Sequence, residues 1–176
     1  MSLKFWSLGM SSDRLGEVEE ILTSYRKQVF GKELTLTTTP DEDKERIKLQ
    51  ITKLKKSMQP YEQEYWKILS EQSESIEISE QEAQVVVAEI VNQVHKIEVN
   101  SPTYPNEALM LLKEIRDKLN QPDKSAAAKV KGVISSIPPF VGISYEAELD
   151  TENFLRNHFP TFISLINRAI KKKQIL

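Results

Sequence analysis

Seven apolar residues, Ile47, Ile51, Leu54, Met58, Tyr61, Tyr65 and Ile68, follow one another in steps of 4, 3, 4, 3, 4 and 3. A helix turns once every 3.6 residues, so this spacing puts all seven side chains on one face. A sustained alternation of threes and fours is heptad spacing, and such a seam is buried against another helix. Leu49, Trp66 and Leu69 widen the face at its ends. The start of the helix is written just upstream. Thr39 can cap it, Pro40 suits the first helical position and Glu42 completes a capping box, while Asp41, Glu42 and Asp43 suit the positive end of the dipole. Continued to Gln72, the helix would be about 48 Å long at 1.5 Å per residue. Pro60 removes a hydrogen bond from its interior. The stripe keeps its phase across Pro60, which predicts one kinked helix; two helices, with Pro60 opening the second, is the alternative.

The same periodicity recurs. Leu15, Val18, Leu22, Tyr25 and Val29 form a stripe over residues 12–30, and Gly31 after it suits a helix stop. Ser79 and Glu82 form a second capping box before the stripe of Val86, Ile90, Val94 and Ile97, flanked by Val87 and Val91. Pro105 is placed to open a helix that buries Ala108, Leu111, Leu112, Ile115 and Leu119 and ends around Pro122. An Ala-rich helix follows over 123–137, ending before Pro138 and Pro139. Asp150 caps a last helical region with Phe154, Leu155, Phe159, Phe162, Ile163, Ile166 and Ile170 inward, broken or kinked at Pro160. Arg168, Lys171, Lys172 and Lys173 suit its C-terminal end.

Three segments read differently. KELTLTTT (32–39) is Thr-rich and alternating, SIEIS lies in a polar break over 73–80, and FVGISYEAEL (140–149) alternates at Ile143, Tyr145, Ala147 and Leu149. Each suits a short strand. The expected fold is therefore mainly α, a helical bundle with long antiparallel helices and room for a minor two- or three-stranded β patch. Only 5 of the 176 residues are Gly, too few for a turn-rich sheet protein, which supports that reading. Composition shifts near Ser101 from long charged helices to shorter ones rich in Pro, Ala and Phe. The expected organisation is a long-helix bundle region, 1–100, and a shorter-helix C-terminal region, 101–176, within one domain or two.

The chain offers few means for chemistry. It has no Cys, which removes disulfides, thiolate ligands and Cys nucleophiles together. His95 and His158 are isolated, whereas a zinc site needs three or four ligands at fixed spacing. His95 reads as a structural or surface residue, and His158 as the maker of a local hydrogen bond. No GxSxG, GxxxxGK[ST] or GxGxxG occurs. The acidic runs EVEE, DEDKE and YEAELDTE read as solvated faces and caps, although paired acids can do glycosidase work. The net charge of −2 gives no field to attract nucleic acid. No metal, cofactor or nucleic acid is expected, and the chain is not expected to be an enzyme. The enzymatic alternative would draw on carboxylates with Arg116 and Arg156.

Candidate contact residues are Tyr61, Tyr65, Trp66 and Phe140, since aromatic side chains bury much area with few rotors. Tyr61 and Tyr65 also lie on the heptad stripe and are core candidates first. Phe5, Trp6 and Leu8 near the N-terminus read as a strip docking on the body of the protein. The basic end INRAIKKKQIL could touch anionic lipid through Lys171, Lys172 and Lys173, or serve as dipole partners and solubilising charge. No apolar run reaches the length of a membrane span and no signal-peptide pattern opens the chain, so a cytoplasmic protein is expected.

The closing stretch carries the most distinctive features: the Pro138–Pro139 pair, the run SYEAELDTENF, and HFPTF around Pro160. Over residues 129–172 it resembles a C-terminal segment that accompanies pentapeptide-repeat and NTPase-type signalling proteins in cyanobacteria. The pentapeptide repeats are absent here, and the segment includes no catalytic motif. The resemblance implies a small protein-interaction module in a bacterial cytoplasm. The sequence thus predicts a non-catalytic helical adaptor or scaffold whose partner is another protein or a second copy. The alternative is a membrane-active effector using the apolar segment 126–144 and the basic C-terminal helix.

Overall fold

The computed structural model describes residues 2–100, 104–146 and 150–175, with side chains from residue 13 to residue 172 within those ranges. Seven α-helices lie among them: α1 (Ser2–Thr38), α2 (Asp41–Gln72), α3 (Glu80–Asn100), α4 (Asn106–Leu119), α5 (Ala126–Glu146), α6 (Thr151–His158) and α7 (Pro160–Ile175). A 3₁₀ turn at Ser73–Ser75 follows α2. No strand occurs among the described residues. The chain is mainly α. It divides into two compact units between Ile68 and Leu69, near the end of α2. The compositional shift near Ser101 lies between α3 and α4, inside the second unit.

The first unit is a helical hairpin. Arg14 on α1 pairs with Glu64 on α2, and Lys32 donates to Gln50 at 2.9 Å. Partner numbers fall along α2 as they rise along α1, so the helices run antiparallel. Val18, Leu22, Val29, Ile47, Ile51 and Met58 form the core between them, with Tyr25, Leu36, Leu54, Tyr61 and Tyr65 packed at its edge. The two heptad-like stripes meet as their spacing requires. Leu49 departs from the expectation: it is 54 % exposed and does not widen the seam. The α2 helix continues through Pro60, which answers the choice between one helix and two. Thr39 does not cap α2. Its hydroxyl turns back and donates to the Thr35 carbonyl at 2.6 Å.

Gly31 does not stop α1, and residues 32–38 are helical, not extended. The hydroxyls of Thr35, Thr37 and Thr38 donate to carbonyls three or four residues back, so the Thr-rich run satisfies itself inside a helix. Continuing the helix also brings Leu36 onto the hairpin core. Glycine costs a helix interior only about 1 kcal/mol relative to alanine, which such packing outweighs.

The second unit is assembled around α3. Ala83, Val86, Ile90, Val94 and Ile97 are all but fully buried, and α4, α5 and α7 each pack against the helix that carries them. Fully burying one such large apolar side chain contributes about 1.5–3 kcal/mol. Ser79 caps α3 by accepting the Glu82 N–H at 3.2 Å, and Asp150 caps α6 by accepting from the amides of Glu152 and Asn153, both as their sequence signals indicate. Pro160 separates α6 from α7 and stands first in α7, where its missing N–H has no cost.

The α5 helix overturns two expectations. It runs through Pro138 and Pro139 to Glu146, so it neither ends before the proline pair nor yields to a strand at 140–146. Residues 147–149 of the expected strand lie outside the described residues. The buried positions Val130, Val133, Ile134, Ile137, Phe140, Val141 and Ser144 follow the helical period and not the alternation at Ile143 and Tyr145. A proline inside a helix costs about 3 kcal/mol, which burial of this stripe offsets. The SIEIS segment starts at the last residue of the 3₁₀ turn and continues with Ile76 extended, and it pairs with no strand among the described residues.

The helical state of Gly31 is directly testable. Beyond its chain neighbours and its own helix backbone, no atom lies within 4 Å of an added Cβ there, so Gly31→Ala is expected to stabilise the chain by about 0.5–1 kcal/mol in chemical denaturation. A lower unfolding midpoint would mean that Gly31 has the left-handed conformation of a helix stop.

Candidate interaction groove

The outward face of α3 carries an open surface groove. Glu80, Gln84, Val87, Ala88, Val91, Asn92 and His95 recur at helical spacing and line one side of this groove of about 690 Å³. From Glu80 to His95 the stripe spans roughly 22 Å at 1.5 Å per residue. Lys124, just before α5, and Ala126 and Lys129, in its first turn, line the other side. The Val-rich helix therefore has two apolar faces. One is the buried stripe; the other, formed by the half-buried Val87 and Val91, floors the groove.

Long-range capping fixes its walls. The Glu80 carboxylate accepts the Ala126 N–H at 2.7 Å and the Ala127 N–H at 3.1 Å, and Ser125 accepts the Ala128 N–H at 3.2 Å. Three donors that a helix start leaves unpaired are thus satisfied, and a carboxylate faces the positive end of α5. Nine residues further along α3, Glu89 accepts the Thr161 N–H with both oxygens, at 3.1 and 3.2 Å, and caps α7 in the same way. Arg168 on α7 returns to Glu82 at 2.9 Å, and Arg116 on α4 binds Glu98 at 2.6 Å. Among the described residues, Glu80 is the only carboxylate lining the groove, and it accepts from amides at the start of α5. Lys124 and Lys129 have no ion-pair partner among the described residues. The groove presents two ammonium groups and an imidazole beside a short apolar floor.

Of the sequence candidates, Tyr61, Tyr65 and Trp66 belong to the first unit and Phe140 to the second. Trp66 is 2 % exposed and meets Tyr65 edge-on at 5.5 Å. Tyr61 is half-buried and packs on Tyr25 at 6.0 Å between ring centroids. Burial pushes the Tyr65 phenol well above the usual tyrosine range, with the negative charge of Glu19 adding to it. Phe140 is 1 % exposed in the second unit and packs on Phe154 at 5.2 Å. Trp66 and Phe140 therefore offer almost no area to another protein. Lys171 and Lys172 are exposed near the end of α7. The side chains of Lys173 and of Phe5, Trp6 and Leu8 lie outside the described residues. Arg116 and Arg156 are engaged by Glu98 and Glu152 respectively.

His158 makes the local hydrogen bond expected of it. Its Nε2 lies 3.1 Å from the Tyr104 hydroxyl, joining the segment before α4 to the end of α6. The ring lies tilted against Phe154 at 4.5 Å between centroids, and Phe154 also meets Tyr104 and Phe159 edge-on. Burial lowers the His158 pKa below its ordinary value. His95, by contrast, is exposed in the groove. Val87 and Val91 were visible as flanks of the α3 stripe. Lys124 and Lys129 gave no signal, since only the folding of α5 beside α3 makes them neighbours of that face.

No protein-family model matches the chain, and no curated protein or solved structure matches it. No helix among the described residues is long and apolar enough to cross a membrane, and no group of three or more His, Asp or Glu side chains among them could hold a metal ion.

A pH dependence follows from His158. Its lowered folded-state pKa favours the neutral ring, so stability is fully present above the unfolded value near 6.5 and declines as pH falls toward the folded value. Thermal unfolding between pH 7.5 and 5 is expected to show a steeper loss in the native chain than in His158→Gln. Parallel curves would remove His158 as the group responsible.

Proposed function

We propose that the chain is a non-catalytic helical interaction module, an adaptor or scaffold of the bacterial cytoplasm, and that the face of α3 turned away from the core is where its partner docks. The observation that carries this reading is the groove itself. Its apolar floor has helical spacing, it is open along one side, and its walls are held by carboxylate-to-amide caps. An amphipathic helix laid in such a groove is a recurring mode of protein recognition. Rigid walls lower the ordering cost of binding.

The membrane alternative is less well supported. The apolar side chains of segment 126–144 on which it relies, Val130, Val133, Ile134, Ile137, Phe140 and Val141, are buried among the helices of the second unit. Presenting them to lipid would require α5 to leave that core. Exposed apolar residues elsewhere, such as Phe30 and Leu34 one turn apart on α1, add further contact area suited to protein.

Photo-crosslinking in the source cells tests the reading. A benzoylphenylalanine placed at Gln84 or His95 is expected to capture one recurrent protein several-fold more often than the same probe at Lys113 or Asn167, which are exposed elsewhere. Equal capture at groove and control positions would contradict the proposal.

A further inference from the structure

We infer that the occupant of the α3–α5 groove is an acidic amphipathic helix of another protein, an inference that rests on the interaction reading above and specifies its partner. Shape comes first. The lining stripe on α3 is elongated, roughly 22 Å from Glu80 to His95 at 1.5 Å per residue, which matches about four turns of a second helix and exceeds any compact anion. The apolar floor is narrow. Val87 and Val91 stand one turn apart with Ala88 between them, and the small Ala side chain leaves room for a ridge of larger residues from the incoming helix.

Charge then selects among helices. Lys124 and Lys129 flank the floor with no ion-pair partner among the described residues, and the one carboxylate in the described lining, Glu80, faces the amides at the start of α5, so positive charge predominates. A helix with lysines beside its apolar ridge would set like charges against them. One with glutamates there would supply the missing counter-charges and would be steered into place over a Debye length of about 8–10 Å. Gln84 and Asn92 add neutral polar groups that can accept or donate at the edge. The floor supplies affinity and the lysines supply orientation and choice of partner.

Two stapled 16-residue helical peptides provide the probe, each with a leucine ridge at four- and three-residue steps. One is flanked by glutamates and its twin by lysines. In fluorescence anisotropy with the full chain in low salt, the acidic peptide is expected to bind at least roughly 10-fold more tightly than its twin, and added salt is expected to narrow that ratio. The exposed Lys124 and half-buried Lys129 tolerate reversal, so Lys124→Glu/Lys129→Glu is expected to fold, with an unchanged circular dichroism spectrum, and to invert the preference. Equal affinity for the twins, or an unchanged preference in the double variant, would overturn the inference. So would displacement of the acidic peptide by an equal concentration of tripolyphosphate, which would mark a small-anion site. A dimer in light scattering that the double variant dissolves would also overturn it, by making a second copy the occupant. If the photo-crosslinks at Gln84 and His95 form but the peptide twins bind alike, the partner's chemistry is wrong and the interaction reading stands. If neither appears, both fall.

Discussion

The buried stripe of α3 is the constraint from which the second unit follows. Ala83, Val86, Ile90, Val94 and Ile97 give one helix contact with α4, α5 and α7. Valine and isoleucine are indifferent helix formers, because their branched side chains lose rotamer freedom against the preceding turn. The helix is therefore held by what it buries and not by local preference. That dependence is mutual. The helices that cover α3 reach it partly through its own side chains, and without them its apolar face would lie in water.

Carboxylates give α3 a second role. Glu80 and Glu89 stand nine residues apart and cap two different helices, α5 and α7. A carboxylate at a helix start satisfies orphan amides and meets the positive end of the dipole at once. Each cap also fixes where its helix begins relative to α3. The register of the Glu80 cap puts Lys124 and Lys129 beside Val87 and Val91. The groove is thus a by-product of how the unit is held together, which explains how an open surface can keep a defined shape.

What the sequence discloses is set by the range of the interaction. Stripes on α2 and α3 can be read directly, since a helix brings its own residues at three- and four-residue steps onto one face. The Ser79 and Asp150 caps are local and equally plain. Gly31 and the Thr run misled because each is a weak local signal that the hairpin core overrides through Leu36. Pro138 and Pro139 misled for the same reason, since the buried stripe from Val130 to Ser144 carries α5 through both. Thr39 reads as the cap of α2, but the helix begins at Asp41, one residue later than that cap requires, and Thr39 instead donates to the Thr35 carbonyl of α1. Glu80 is 46 residues from Ala126, and Glu89 is 72 from Thr161, so no local pattern announces either cap. Half the groove was therefore legible as the Val87 and Val91 flank, and the cationic half was not.

The account stands on α3 being the best-held element of its unit, with both carboxylate-capped helices leaning on it. Native-state hydrogen exchange measures this directly. The amides of residues 84–97 are expected to exchange only through global unfolding of the unit, and Glu80→Ala is expected to speed exchange of the amides of Ala126 and Ala127 selectively. If the α3 amides exchange faster than those of α4 and α5, α3 is a peripheral helix and the groove on its outer face has no fixed wall.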